Sequence, residues 1–173
     1  MSNLAHSRSI ALIGFPSSGK STMGPLLAQS LGYAWLDSDQ QIALNTGRSP
    51  AEWLQTMGEP AFRKAERHWL QAWNPVTPCV LSTGGGLPCY QNNLDLLKHK
   101  ALTVYLELDF ESLRQRLYTP PGHALTRLYD PEGLKVLYAR RAQIYTLADL
   151  SIAATGNPDE ILTRLLQKLK ARD

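Results

Sequence analysis

The sequence predicts a three-layer α/β/α fold, a five-stranded parallel sheet between helices, formed by one domain over residues 1–173. Short apolar segments alternate along the chain with amphipathic segments at helical spacing. A glycine-rich stretch follows the first apolar segment at once and leads into a helix. Hydrophobic residues make up 43% of the 173, which is enough to build one sizeable core.

The predicted strands are short, apolar and bounded by glycine, proline or polar residues. Strands joined through helices run parallel and are buried on both faces, which accounts for their nearly continuous hydrophobicity. The five predicted strands are 9–13, 33–37, 78–82, 101–108 and 149–154.

The segments between the strands are predicted to be helices. The first ends at Gly32, a suitable C-cap. Residues 38 to about 73 have helical spacing interrupted by glycine and proline. In the last helix Asn157 is a suitable N-cap, with Pro158 at the first helical position. Further helices are predicted at 91–99, 110–118 and 131–147, whereas 119–127 is predicted to be a loop.

Composition and charge exclude several classes of protein. The formal net charge is only +3 and 19% of the residues are charged, which argues against a disordered chain or a nucleic-acid-coating protein. No secretory signal or apolar stretch of about 18 residues is present in the sequence. Cys79 and Cys89 are too few for a disulfide framework or a four-cysteine zinc site. We therefore expect a cytoplasmic monomer that binds neither nucleic acid nor membranes.

Residues 14–21 match the phosphate-loop pattern G-x-x-x-x-G-K-[S/T], between a predicted strand and a predicted helix. Glycine lets backbone N–H groups turn toward phosphates, and the helix N-terminus attracts the same anions. Lys20 should reach the β- and γ-phosphates, and the Ser21 hydroxyl should bind Mg²⁺. The loop therefore predicts a nucleoside triphosphate site. Its further predicted contacts are Ser17, Ser18, Gly19 and Thr22.

The chain lacks the N-K-x-D motif that a GTPase would usually carry, and it is too short for a large motor or transporter ATPase. A phosphate loop in a chain of this size is typical of a small-molecule kinase that uses ATP and Mg²⁺. No cluster of histidine, cysteine and carboxylate residues with transition-metal spacing is present in the sequence. The rest of the chain must then supply the site for the phosphoryl acceptor.

Further motifs follow the phosphate loop, and together they are specific in order and spacing. They are Asp37-Ser38-Asp39, Thr46-Gly47-Arg48-Ser49, Gly58-Glu59, Phe62-Arg63-Lys64-Ala65-Glu66, Thr83-Gly84-Gly85-Gly86, and Arg141 four residues before Tyr145. On these motifs the chain resembles the shikimate kinases over nearly its whole length. The resemblance implies a nucleoside-monophosphate-kinase-like P-loop fold, with substrate-binding helices at about 38–73 and a mobile lid at about 118–128.

The resemblance also implies the reaction and the residues that perform it. ATP would phosphorylate the 3-hydroxyl of shikimate, a step toward chorismate and the aromatic amino acids. Arg63 and Arg141 would clamp the carboxylate, since a guanidinium offers bidentate geometry. Asp39 would orient or deprotonate the attacking hydroxyl, and Asp37 would hold Mg²⁺ through water. The remaining implied contacts are Gly84, Gly85 and Gly86 with the substrate, and Arg116, Asn157 and Pro158 with adenine.

Structural alternatives stay open for several of these residues. Arg63 could lie on the helix surface, with Glu66 serving mainly to orient it. Asp37 could be only a cap at the end of a strand. Within the Arg140-Arg141 pair, we expect Arg140 to be the solvated member.

The lid departs from the family pattern. The family normally carries R-P-L-L or R-P-T-L, whereas this chain has His123-Ala124-Leu125-Thr126. An arginine on the transferring phosphoryl group can contribute about 10³–10⁵ in rate, and a neutral histidine cannot replace its charge. Arg127 could supply the cation, His123 could become charged against the triphosphate, or the lid could be disabled. We expect retained kinase activity, with Lys20, Asp39, Arg127 and His123 as the catalytic candidates.

Two alternatives to a shikimate kinase remain open from the sequence. A gluconate-type sugar-acid kinase shares the phosphate loop, although the D-S-D and F-R-x-x-E elements favour shikimate. A catalytically weakened protein that only binds or regulates is suggested by His123.

Overall fold

The structure is a computed structural model that describes residues 8–119 and 122–172. In this part of the chain five strands form one parallel sheet in the order β2-β3-β1-β4-β5. The five-stranded parallel sheet predicted from the sequence is confirmed. Its strands are β1 (Ser9–Ile13), β2 (Ala34–Asp37), β3 (Cys79–Ser82), β4 (Ala101–Glu107) and β5 (Leu150–Ala153).

Helices connect the strands, and none of those in the described residues is long and apolar enough to cross a membrane. Gly32 caps the first helix in the left-handed conformation, and Asn157 caps the last one with Pro158 at its first position, as predicted. The helices are α1 (Lys20–Leu31), α2 (Ser38–Thr46), α3 (Pro50–Thr56), α4 (Glu59–Ala72), α5 (Asn93–Lys100), α6 (Phe110–Tyr118), α7 (Leu125–Leu128), α8 (Pro131–Tyr145) and α9 (Pro158–Lys170), with a 3₁₀ turn at Leu87–Cys89.

The segment predicted as a loop at 119–127 contains a helical turn. Leu125–Leu128 forms α7, and Nδ1 of His123 accepts a hydrogen bond from the backbone N–H of Leu125 at 3.1 Å. The histidine, one residue before the N-cap Ala124, thus accepts from the first backbone N–H of α7, which the composition of the segment did not suggest. Positions 120 and 121 of the predicted lid lie outside the described residues.

β1 lies at the centre of the sheet, and all five of its residues are buried. Ile10 pairs with Val80 of β3 on one side and with Leu102 of β4 on the other. The chain leaves β1 toward β2 and leaves β3 toward β4, in opposite directions across the sheet. Divergent connections open a crevice at the carboxyl ends of two adjacent parallel strands. The phosphate loop and the segment 83–86 therefore meet at this crevice.

Candidate active site

The phosphate loop joins β1 to α1, and two of its glycines are required by its geometry. Gly14 has φ of +150°, and a Cβ there would lie 2.8 Å from Ser18 Oγ and 2.9 Å from the Leu106 carbonyl oxygen. Gly19 has φ of +103° and is the N-cap of α1. No other residue accommodates the close approach at the first position or the left-handed backbone at the second without strain.

Lys20 is buried within the loop that it belongs to. Its Nζ donates hydrogen bonds to the carbonyl oxygens of Gly14 and Phe15, both at 2.8 Å, and to Ser18 Oγ at 3.4 Å. Burial lowers the pKa of Lys20 from 10.5 to about 8, although the neighbouring carboxylates Asp39 and Asp37 act in the opposite direction. The ammonium group therefore remains protonated at pH 7, on neutral acceptors that an anionic phosphate can replace.

A cavity of about 280 Å³ opens beside this loop. Nη1 of Arg116 donates to the carbonyl oxygen of Ser17 at 3.2 Å, which ties α6 to the loop. Asn157 and Pro158 begin α9, which packs against α1, but neither lines this cavity. The residues that do line it are Ser17, Gly19, Lys20, Ser21, Thr22 and Arg116, all predicted to bind nucleotide.

Asp37 is the last residue of β2, and Asp39 lies two residues later in the first turn of α2. Oδ1 of Asp37 accepts hydrogen bonds from the backbone N–H groups of Asp39 at 2.9 Å and Gln40 at 3.2 Å, so this carboxylate is the N-cap of α2. Oδ1 of Asp39 is buried and has no hydrogen-bond partner in the described residues. Burial, and then the charge of Asp37, raise the pKa of Asp39 to about 6, while Lys20 and Arg63 oppose the shift.

The segment 83–86 brings glycine backbone close to three functional side chains. A Cβ on Gly84 would lie 2.5 Å from Oδ1 of Asp39, and a Cβ on Gly86 would overlap the guanidinium of Arg63. The Gly84 N–H donates to Ser38 Oγ at 2.8 Å, so this donor is already used within the protein. The Gly85 carbonyl oxygen accepts from the Tyr145 hydroxyl at 2.6 Å, which fixes the segment to α8.

Arg63 lies on α4 between two carboxylates. Its Nε and Nη2 donate to Glu59 Oε1 at 3.2 and 3.0 Å, and its Nη1 donates to Glu66 Oε2 at 2.5 Å. The Arg63 side chain is only 15% exposed, so it does not lie on the open helix surface. Glu66 orients the guanidinium, and Glu59 covers its other edge.

Glu66 is completely buried, and its Oε1 has no hydrogen-bond partner in the described residues. Burial raises the pKa of Glu66 to about 7, Asp39 raises it further, and Arg63 and Arg141 oppose the shift. A Cβ on Gly84 would lie 3.2 Å from the same oxygen. The carboxyl groups of Asp39 and Glu66 therefore both lie close to Gly84, where a side chain would otherwise be.

Arg141 lies on α8 and is 7% exposed. Its Cζ lies 5.7 Å from the centroid of the Phe15 ring, and its guanidinium makes no hydrogen bond or ion pair with any residue that the structure describes. Arg63 and Arg141 line one pocket of about 430 Å³, so the structure brings the two predicted carboxylate-binding residues together. Arg140 is exposed, as expected, but it also lines this pocket.

The lid residues differ in how they relate to the site. Half-buried His123 has its pKa lowered first by burial and then by Lys20 and Arg141, so its ring is neutral at pH 7. Arg127 is exposed on α7, and its side chain makes no hydrogen bond or ion pair within residues 8–119 and 122–172. It does not line the cavity at the phosphate loop. The structure therefore leaves Arg127 unattached to the rest of the site.

Sequence reasoning missed three features of the site. They are the contact of Glu59 with Arg63, the position of Arg140 on the pocket wall, and the hydrogen bond from Tyr145 to Gly85. Glu59 could have been found because it lies four residues before Arg63 on one helix, a spacing at which side chains meet. The other two depend on packing between segments distant in sequence.

Comparison with known proteins finds relatives of this chain in sequence and in fold. A family model described as shikimate kinase matches residues 16–170. A shikimate kinase from Synechococcus sp. (strain RCC307) is 38% identical over 161 residues, covering 91% of this chain and 82% of that protein. The structure is similar to shikimate kinase from Acinetobacter baumannii in complex with shikimate, with a TM-score of 0.88 and 29% identity over 97% of this chain and 96% of that one. A gluconokinase from Sinorhizobium meliloti 1021 has a TM-score of 0.62 at 16% identity, covering 95% and 93%, which is a likeness of fold alone.

Proposed function

The chain belongs to the shikimate kinase family, and we propose on that basis that it transfers the γ-phosphoryl group of ATP to the 3-hydroxyl of shikimate. The observation that supports this most directly is the position of Asp39. Its carboxylate is close enough to Lys20 and to Arg63 for both cations to lower its pKa. Asp39 is thus close both to the residue that would hold the phosphates and to one that would hold the acceptor.

The acceptor carboxylate binds to Arg141 and Arg63 in this proposal. Arg141 offers unused N–H donors, and its guanidinium carbon lies over the Phe15 ring, 5.7 Å from the centroid. Arg63 offers donors that Glu59 and Glu66 do not use. A carboxylate held from two sides fixes the ring, which directs one hydroxyl toward the phosphate loop.

Asp39 accepts the proton of the attacking 3-hydroxyl. The new bond forms between that oxygen and the γ-phosphorus, the bond from this phosphorus to the bridging oxygen breaks, and ADP leaves with the electron pair. A carboxylate with a pKa of about 6 is a better base than an ordinary one and is still ionised at pH 7. The proton then passes from Asp39 to solvent when the product leaves.

The phosphate loop binds ATP. Lys20 leaves the carbonyl oxygens of Gly14 and Phe15 and takes the β- and γ-phosphates. We assign the missing cation of the lid to Arg127, because His123 is neutral and Arg127 has no other partner among the described residues. The remaining assigned nucleotide contacts are Ser17, Ser18, Gly19 and Thr22 at the phosphates and Arg116, Asn157 and Pro158 at adenine.

Mg²⁺ suits the oxygen donors beside the loop. The Ser21 hydroxyl is exposed on the first turn of α1 and makes no hydrogen bond to another described residue. Asp37 uses one carboxylate oxygen as a helix cap and keeps the other without a partner in the described part of the chain. Mg²⁺ bound by Ser21, and through water by Asp37, would neutralise charge on the β- and γ-phosphates.

We further propose that one domain, residues 1–173, acts as a monomer in the cytoplasm, with acceptor-binding helices at about 38–73 and a lid at about 118–128. It would bind neither nucleic acid nor membranes and would serve aromatic amino-acid biosynthesis. Cys79 and Cys89 are free thiols, which supports a reducing compartment.

A coupled assay of ADP release tests the proposed reaction. The purified chain is given ATP and Mg²⁺ with shikimate, gluconate or other hydroxy acids, and the product is identified by phosphorus NMR. We expect turnover that depends on shikimate and a single product phosphorylated at the 3-oxygen. Turnover on gluconate alone would identify a sugar-acid kinase instead. Tight binding of shikimate without turnover would identify a regulatory protein.

A further inference from the structure

A third guanidinium stands on the wall of the acceptor pocket. Arg140 lines the same pocket of about 430 Å³ as Arg63 and Arg141, one residue before Arg141 on α8. Glu59 is the carboxylate on that wall, and Glu66 lies directly behind Arg63. The pocket therefore contains three cationic side chains and is bordered by two acidic ones.

Both carboxylates, Glu59 and Glu66, accept hydrogen bonds from the same cation, Arg63. Glu59 and Glu66 together engage all three nitrogen atoms of Arg63. Neither carboxylate contacts Arg141 or Arg140 among the described residues. Arg140 therefore adds a positive charge beside Arg141 on the lining of the pocket, and this charge favours an anionic ligand.

No hydrogen bond or ion pair in the described part of the chain explains the position of the Arg140 side chain. This side chain is exposed and makes no hydrogen bond or ion pair with any residue in 8–119 or 122–172. An exposed arginine on a helix is most often merely solvated. The same helix also carries Lys135, which is exposed in the same way but does not line the pocket. Lys135 therefore provides a matched comparison for the effect of position.

We propose that Arg140 is a third cation of the acceptor site, which binds the acceptor carboxylate beside Arg141 and sets the preference for an anionic acceptor. The inference rests on the proposed function and extends it to a residue outside the motifs. Because the Arg140 side chain is exposed, its interaction is partly screened by water and salt. Its contribution is therefore to acceptor affinity and not to the chemical step.

Steady-state kinetics of Arg140→Ala, with Lys135→Ala as the matched control, test the proposal. In Arg140→Ala we expect the KM for shikimate to rise about 3–10-fold, with kcat and the KM for ATP within about two-fold of the wild type. The increase should shrink between about 50 and about 500 mM KCl. The Lys135→Ala variant should match the wild type at both salt concentrations. Equal increases in the two variants would mean that only net charge matters, and this would overturn the proposal.

The methyl ester of shikimate separates charge recognition from other effects. The ester lacks the negative charge, so Arg140→Ala should leave its KM unchanged within about two-fold. Calorimetric Kd values for shikimate keep this inference distinct from the reaction itself. If the wild type binds shikimate more tightly than Arg140→Ala but shows no turnover, the proposed function is wrong and the role of Arg140 is supported. If the wild type and Arg140→Ala have equal Kd values and normal turnover, the proposed role of Arg140 is wrong and the proposed kinase activity is supported.

Discussion

The phosphate loop and the lid have been assigned to the same nucleotide, but they are organised in opposite ways. In the loop, Gly14 and Gly19 determine the backbone, and the Lys20 ammonium group is held by two carbonyl oxygens and a hydroxyl. In the lid, α7 is a single turn, and the arginine it carries has no partner in the described residues. The loop is thus held by its own contacts, whereas no described residue holds the side chain of Arg127. The loop should control whether the nucleotide binds, and the lid should control how fast it reacts.

Burial lowers the pKa of one basic side chain in the phosphate loop and of one in the lid, but the two side chains differ in charge at pH 7. It lowers the pKa of Lys20 from 10.5 to about 8, which leaves the lysine charged at pH 7. It also lowers the pKa of His123 below 6.5, which leaves the histidine neutral. The difference lies in the ordinary pKa of each side chain. That of lysine is so far above 7 that the side chain stays protonated at pH 7 even after burial has lowered its pKa. A histidine at the lid therefore cannot repeat what the lysine does in the loop.

Removal of the Lys20 charge should produce the largest effect. We expect Lys20→Met to lower kcat by at least about 10³-fold, because a cation on the transferring phosphoryl group is lost. ADP release measures the rate, and circular dichroism verifies the fold. Lys135→Met, an exposed site on α8, is the control. A loss smaller than about ten-fold would mean that the loop does not supply the essential cation.

Two substitutions in the lid should have the next largest effect. Arg127→Ala should lower kcat by about 10²-fold if this side chain reaches the phosphates when substrates bind. His123→Arg should raise kcat by about 2–10-fold and should restore most of the activity of Arg127→Ala. Arg114→Ala on α6, which breaks only an exposed pair with Glu111, is the control. Undiminished turnover in Arg127→Ala would remove this arginine from the mechanism.

Over the first pH unit above 8, the pH dependence of nucleotide binding should give the smallest effect. Phosphate favours the protonated form of Lys20, and the free protein loses that proton above about pH 8. The Kd for ADP should therefore be constant from pH 7 to near 8 and then rise by about ten-fold per pH unit. In Lys20→Arg the rise should disappear, since a guanidinium stays charged. A wild-type Kd that does not change up to pH 10 would mean that the lysine keeps its proton in the free protein.

Much of this protein could be predicted from local sequence patterns. The five strands follow from short apolar segments, and the phosphate loop follows from glycines whose positive φ values no other residue adopts easily. The caps at Gly32 and Asn157 were equally predictable, because a cap depends on a few consecutive residues. The one-turn helix at Leu125–Leu128 was not predictable in this way, since the acceptor for its first backbone N–H is a histidine ring.

The sequence by itself determined the class of fold and which residues could carry charge to the site. Only the tertiary structure decided how those charges are balanced. Arg63 is paired with Glu59 and Glu66, Arg141 is held on an aromatic ring, and Arg140 faces the same pocket. The Gly84 N–H is used by Ser38, 46 residues away. Periodicity and turn chemistry depend on residues that are neighbours in sequence. The pKa values and the partners of buried donors depend instead on which residues from distant parts of the chain pack together.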